Sequence, residues 1–214
     1  MIDSKIIKTD KTLLQNVSRE TLKELEDYSK SILSTNKKIN LISSSTEKSI
    51  NTRHIYDSAQ TIDFIDKNDI SVCTDLGSGA GLPSIVLGIL MKSKKRGFKL
   101  IFYEKSYHKS NFLIEMVKKF KLEAKIYQKN IFEEKNLVTD VIICRAFKPL
   151  PVIFDIATKN FKNFKYIVMY LGKSRKKILK DVSTKWKFDL EEMKSLTSEE
   201  SSVVKISNLK KKYE

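Results

Sequence analysis

The stretch Asp75–Pro83, DLGSGAGLP, is the part of the chain whose residue types and spacing speak most directly of chemistry. Gly77, Gly79 and Gly81 stand at alternate positions, which lets the backbone turn sharply and lets a ligand come close to it. An apolar run precedes them and a helical pattern follows. The loop therefore faces the free N–H groups and positive dipole end of a helix start. Pro83 suits the first turn of that helix, where its missing N–H costs nothing. A dinucleotide fingerprint needs its third glycine one residue later, and a Walker loop needs a Gly-Lys-Ser/Thr ending. The G-x-G-x-G found here, behind Asp75, suits a nucleoside carrying an amino acid better than a pyrophosphate. A tight strand-to-helix turn with no ligand is the plain alternative. Glu104 strengthens the first reading. It ends the next apolar run, and an acid at that place in a doubly wound sheet faces the crevice and can accept from both ribose hydroxyls.

The elements that must position these residues follow from the apolar pattern. Ser18 is a good helix cap, and Leu22, Leu25, Tyr28, Ile32 and Leu33 recur at helical spacing, predicting a helix over 18–34. A second helix is expected over 47–66, burying Ile50, Ile55, Ala59 and Ile62. From residue 70 the pattern changes. Strands are predicted at 70–76, 98–104, 124–129, 140–147, 165–171, 183–192 and 201–209. Helices are predicted at 82–92, 108–120, 151–161 and 174–182. The first five strands alternate with helices, which means a parallel sheet covered on both faces. The last two, joined by a short connection, suggest a closing antiparallel hairpin. The fold class is therefore α/β, a Rossmann-like, seven-stranded, mostly parallel sheet. Residues 1–69 form a helical extension packed on a body spanning 70–214.

Composition bounds the function. The chain has 214 residues, a formal net charge of +15 and 41% hydrophobic residues, enough for one sizeable core. Residues 1–71 are charge-neutral and the whole excess lies beyond them. A basic body beside a neutral segment fits a nucleic-acid-facing surface. Only five of the 41 basic residues are Arg, however. Such lysine richness also marks an AT-rich genome, so charge alone leaves the partner open. Lys92, Lys94, Lys95 and Arg96 make a basic turn and Lys210 to Lys212 a basic end, each either solvated or turned to phosphate. The two cysteines, Cys73 and Cys144, sit in apolar runs and read as buried thiols, which excludes a disulfide scaffold. With two histidines, His54 and His108, no zinc-ligand spacing exists, and no metal is expected. No apolar stretch is long enough to span a membrane, and the N-terminus lacks the apolar core of a signal peptide. A soluble cytoplasmic protein is expected, and a monomer, since no long heptad is evident.

Five segments in order carry a resemblance: NKKINLIS (36–43), RHIYDS (53–58), DLGSGAGLPSI (75–85), FYEKSYHKSNFL (102–113) and ICRAFKPL (143–150). Together with the N-terminal helix they resemble the bacterial 16S ribosomal RNA guanine-N7 methyltransferases, also called glucose-inhibited division protein B. The glycine loop alone would indicate only some class I methyltransferase. The resemblance implies S-adenosyl-L-methionine as cofactor and 16S rRNA or the small ribosomal subunit as partner. It implies cofactor contacts at Gly77, Gly79, Leu82 and Glu104, and adenine contacts at Asn130, Ile131 and Phe132, where this chain departs from the family's usual Arg-x-Glu. Arg145, in Cys-Arg-Ala where the family has Ser-Arg-Ala, matches the active-site arginine and is expected to act in catalysis and to touch cofactor and RNA. Arg53, Lys109 and Lys173 are the further RNA candidates. His108-Lys109 stands where the family has Lys-Arg, and Gly172-Lys173 reverses its Lys-Gly.

The chemistry agrees with that expectation. Guanine N7 has an in-plane lone pair and no proton to lose, so methylation there needs no general base, and positioning supplies most of the catalysis. Arg145 would orient guanine through O6 or hold a neighbouring phosphate. Phe147 could pack on the extruded base, although a core role fits it better. Arg53 and Asp57, four apart on a helix, could pair. His54 could be a packing residue. Three other functions fit parts of the pattern: a small-molecule methyltransferase, a non-catalytic RNA-binding or ribosome-assembly protein with this fold, and an NAD-dependent oxidoreductase, which the glycine spacing disfavours.

Overall fold

The computed structural model describes residues 4–7, 17–67, 69–95 and 97–212. Arg96 and most of the N-terminal segment before Val17 lie outside the described residues. The strands are β1 (Ser4–Ile7), β2 (Val72–Leu76), β3 (Lys99–Tyr103), β4 (Ala124–Tyr127), β5 (Leu137–Val138), β6 (Val141–Cys144), β7 (Phe161–Asn163), β8 (Tyr166–Leu171), β9 (Trp186–Lys194) and β10 (Ser202–Lys211). The helices are α1 (Arg19–Asn36), α2 (Asp57–Ala59), α3 (Ile62–Ile65), α4 (Ser84–Lys92), α5 (Tyr107–Lys119), α6 (Leu150–Asn160) and α7 (Arg175–Ser183).

Eight strands form one sheet in the order β1-β9-β10-β8-β6-β2-β3-β4. The run from β8 to β4 is parallel throughout. β10 is antiparallel to both β8 and β9. All seven predicted strands are present, and the closing hairpin is β9–β10. The eighth, β1, pairs parallel with β9 at the outer edge; four residues are too few for alternation to show in a sequence. β5 and β7 make a separate parallel pair. The reading of a helix between every pair of the first five strands is corrected between β4 and β6. There the connection is a single 3-10 turn, Ile131–Glu133, followed by β5.

Burial follows the layering. β6 is buried along its whole length and β8 nearly so, as parallel strands covered on both faces must be. Val141 and Ile143 join one apolar cluster with α1, α4 and α5. Ile142 and Cys144 join the opposite one with α6 and α7. α4 is buried from Ser84 to Met91, which is why its sequence is apolar on every side. In α1 the Ser18 hydroxyl accepts from Thr21 N–H, and Leu25, Tyr28 and Ile32 form the buried stripe. Leu22 is exposed instead.

The predicted 47–66 helix is the main departure. The chain there is a 3-10 turn (Ser44–Ser49), a π-turn (Asn51–Tyr56) and the short α2 and α3. Ile50, Ile55, Ala59 and Ile62 are all buried as expected. Ile50 and Ile55, however, are five residues apart, too far for one face of a 3.6-residue helix. The wider i→i+5 turn absorbs that step.

Candidate active site

The glycine loop leaves β2 and is fastened to the end of β3. Gly77 N–H and Ser78 N–H both donate to the Tyr103 carbonyl, at 2.9 and 3.3 Å. From the other side, α1 supports it: the buried Tyr28 hydroxyl donates to the Ala80 carbonyl at 2.6 Å. Gly77 has φ +65° and Gly79 φ +57°, conformations that L side chains rarely adopt. A Cβ on Gly77 would also overlap the Phe147 ring. That ring arrives there because Ala146 takes a left-handed φ of +53°, turning the chain abruptly after β6.

Glu104 is buried and its carboxylate bridges two segments. Oε2 accepts from Gly79 N–H at 2.9 Å and Oε1 from Ser106 N–H at 2.8 Å. Each oxygen keeps a further lone pair for another donor. Beneath the loop, Asp75 is fully buried, and burial lifts its carboxyl to about 7, with the Glu104 charge pushing the same way. The Ser84 hydroxyl lies close enough to moderate the rise, but no hydrogen bond joins it to Asp75 Oδ2, which is buried without a partner.

A cavity of about 370 Å³ opens beside these groups. Its lining includes Gly77, Glu104, Asn130, Ile131, Phe132 and Phe147. Five of the residues expected at a cofactor therefore meet at one cavity, with Gly79 joined to it through Glu104. Asn130 turns its own side chain to capping, accepting from Phe132 N–H and donating to Glu133. Asn160 of α6 holds the segment by donating to the carbonyls of Ile131 and Glu134, both at 2.7 Å. The cavity suits a nucleoside: a carboxylate for a diol, apolar side chains for a ring, and a backbone that a ligand can approach. Lys105, Lys129 and Lys148 also line it and were not anticipated; adjacency to Glu104, Asn130 and Phe147 was the available signal.

Leu82 is not part of that lining; it is buried with the first apolar cluster. Arg145 is not part of it either. Its guanidinium turns to the RHIYDS segment, donating to the Arg53 carbonyl (2.7 Å) and Ser58 Oγ (3.3 Å) and pairing with Asp57 Oδ2 (3.0 Å). It lies over the Tyr170 ring, 4.8 Å from the centroid. Asp57 thus pairs with Arg145, and no ion pair joins it to Arg53 among the described residues. Asp57 Oδ1 accepts from Gln60, Ser195 and Thr197. Its carbonyl accepts from Gln60 and from the Tyr170 hydroxyl. No local pattern could have announced this hub, because its partners come from four separate stretches. His54 bonds Thr46 at 2.8 Å. Burial, aided by the charges of Arg145 and Arg53, lowers it to about 4, so it is neutral near pH 7.

Of the remaining RNA candidates, Arg53 is exposed and Lys109 half-buried near the start of α5. Lys173 is exposed and paired with Glu200 at 2.9 Å. In the basic turn, Lys92 and Lys94 pair with Glu24 and Asp66. Among the described residues, no His/Cys/Asp/Glu group could hold a metal ion, and no helix is long and apolar enough to cross a membrane.

The family model for rRNA small subunit methyltransferase G, GidB, matches residues 21–206. The chain belongs to the GidB family. It is 44% identical over 200 residues to the ribosomal RNA small subunit methyltransferase G of Pelagibacter ubique, covering 92% of this chain and 93% of that one. The namesake of Bartonella henselae is 34% identical over 200 residues, covering 92% of each. Among solved structures, a SAM-dependent methyltransferase from Aquifex aeolicus superposes with a TM-score of 0.56 at 14% identity, over 77% of this chain and 98% of that one. That likeness shows the fold. As a GidB member the chain is an enzyme, an S-adenosylmethionine-dependent methyltransferase of small-subunit rRNA.

Proposed function

We propose that the protein methylates N7 of one guanine in 16S rRNA, with the cavity beside Glu104 receiving the cofactor. The observation that carries the site is the convergence of Gly77, Glu104 and residues 130–132 on one cavity at the carboxyl edge of the sheet. When bound, S-adenosylmethionine supplies a methyl group activated by its sulfonium. Glu104, already oriented by two backbone N–H groups, accepts from the ribose hydroxyls. Gly77 and Gly79 let the amino-acid end approach the backbone, and Ile131 and Phe132 border the adenine. Leu82 supports the loop from behind.

Guanine N7 attacks with its own lone pair, so the chain need only hold the base in line. A lining without histidine or cysteine suits that demand. Phe147, against Gly77 at the cavity wall, is placed to contact the extruded base. Arg145 holds the 53–58 segment as the second wall of the cleft and acts on substrate through it. Arg53, Lys109 and Lys173 serve the RNA backbone, with Lys173 weakest because Glu200 competes. The extension, residues 1–69, steadies the loop through Tyr28, and residues 70–214 carry the chemistry. A cytoplasmic monomer meeting ribosomal RNA completes the reading.

The test uses small-subunit rRNA and particles from cells lacking the N7 mark, labelled S-adenosylmethionine, and chemical cleavage at N7-methylguanine. A single new cleavage site is expected. Label uptake without that cleavage would sink the N7 assignment.

A further inference from the structure

Among the described residues, the exposed tyrosine, phenylalanine and tryptophan side chains are Tyr56 (45%), Tyr107 (60%) and Phe132 (44%). All three belong to one rim of the molecule. Tyr107 opens α5 just after β3 ends, and Phe132 sits in the turn after β4. Tyr56 lies in the turn that Arg145, beyond β6, and Tyr170, of β8, hold through the carbonyls of Arg53 and Asp57. In the sheet order β8-β6-β2-β3-β4, Tyr107 and Phe132 stand on one side of the glycine loop and Tyr56 on the other. Four strand spacings of about 4.8 Å, about 19 Å in all, separate β8 from β4.

Lys105, Lys109 and Lys148 punctuate the same rim, and none forms an ion pair among the described residues. Lys148 Nζ lies 5.9 Å from the centre of the Phe132 ring. Separated aromatics interleaved with unpaired lysines are ill suited to a protein interface, whose core is depleted of lysine. They suit a single strand, whose bases stack on aromatic rings while its phosphates meet cations.

We propose that Tyr56 and Tyr107 form a stacking track for unpaired RNA bases flanking the target guanine on both sides of the cavity, with Phe132 left to the cofactor. Lys105, Lys109 and Lys148 take the phosphates between them. The inference rests on the rRNA reading above. It adds that the substrate is engaged as an opened strand across the cleft rather than as an intact helix.

The test uses Tyr56→Ala, Tyr107→Ala, Tyr56→Phe, Tyr107→Phe and Lys148→Ala in the full chain. The probe is a short fluorescein-labelled single-stranded RNA with one central guanine, titrated at several salt concentrations. Each Tyr→Ala change is expected to weaken RNA binding about tenfold or more, with the salt dependence unchanged and binding retained in the Phe variants. Lys148→Ala is expected to reduce the slope of log affinity against log salt by about 0.7. Calorimetric S-adenosylmethionine affinity, unchanged in the Tyr variants, confirms an intact fold. Wild-type affinity in both Ala variants, or equal losses in the Phe variants, would overturn the track. Loss on small-subunit particles with none on the oligonucleotide would point to a protein contact and also overturn it. If the wild-type chain bound no RNA under any condition, the rRNA reading itself would fall.

Discussion

The two sides of the cleft are built on different principles. On the β2–β3–β4 side, the backbone does the positioning: Gly77 and Gly79 in left-handed conformations, and N–H groups gripping the Glu104 carboxylate. On the β6–β8 side, side chains do it, through the buried pair of Arg145 and Asp57 with Tyr170, Gln60, Ser195 and Thr197 around it. A backbone cradle recognises one invariant ligand and tolerates almost no change at its glycines. A side-chain clamp can hold an irregular segment, the π-turn and its neighbours, in one place against a large substrate. The division explains why the first side faces the proposed cofactor cavity and the second supports the proposed RNA wall.

Gly77→Ala should have the largest effect on activity. It combines a φ that costs an L residue about 1–2 kcal/mol with overlap on Phe147. Methyl transfer and calorimetric cofactor binding should both be lost in a folded protein. Adding Phe147→Ala should restore part of the binding, since it removes the overlap and leaves the backbone strain. No recovery would argue against contact between the two as the cause.

Asp57→Ala attacks the other side. It strands the Arg145 guanidinium in a site where the pair's side chains are only 19% and 7% exposed. Removing one partner of such a pair costs about 3–5 kcal/mol. Thermal unfolding should shift down by about 10 °C for a chain of this size. A shift within a degree or two would mean that the clamp is ornamental. Tyr170→Phe is the milder probe: it removes one donor to a carbonyl that Gln60 still serves, at about 1 kcal/mol.

The pH dependence of stability has opposite signs on the two sides. Asp75 is raised from its ordinary 3.8 to about 7, so the folded protein holds a proton that the unfolded chain releases, and stability falls as pH rises between those values. His54 is lowered from 6.5 to about 4, so the unfolded chain takes up a proton that the folded one refuses. Stability therefore falls as pH drops between those values. Denaturant titrations should show Asp75→Asn gaining on wild type from pH 4 to 7, and His54→Gln losing less than wild type from pH 6.5 to 4. Parallel curves would contradict both assignments.

The same division decides how much could be read from sequence. Glycine spacing, a strand-end acid and alternating apolar runs are local signals, and they located β2, β3 and the cavity residues Gly77 and Glu104. The 130–132 segment came from family resemblance, and Asn160, which pins it, lies 29 positions from Ile131 with no local mark. On the clamp side, helical spacing suggested an Arg53–Asp57 pair. The π-turn changes that geometry, and Asp57 finds Arg145 and Ser195 instead, the latter 138 positions away. Partners at such separations are set by the sheet order, which local periodicity does not encode.

One pair of titrations bears most directly on the division of labour: S-adenosylmethionine onto Glu104→Gln and onto Arg145→Lys, each beside wild type in a calorimeter. Losing the charge that two N–H groups orient toward the cavity should weaken the cofactor about tenfold to a hundredfold. Arg145→Lys, which keeps a cation beside Asp57 but away from the cavity, should leave that affinity unchanged while methyl transfer to small-subunit particles falls. Equal cofactor losses in the two variants would contradict the account.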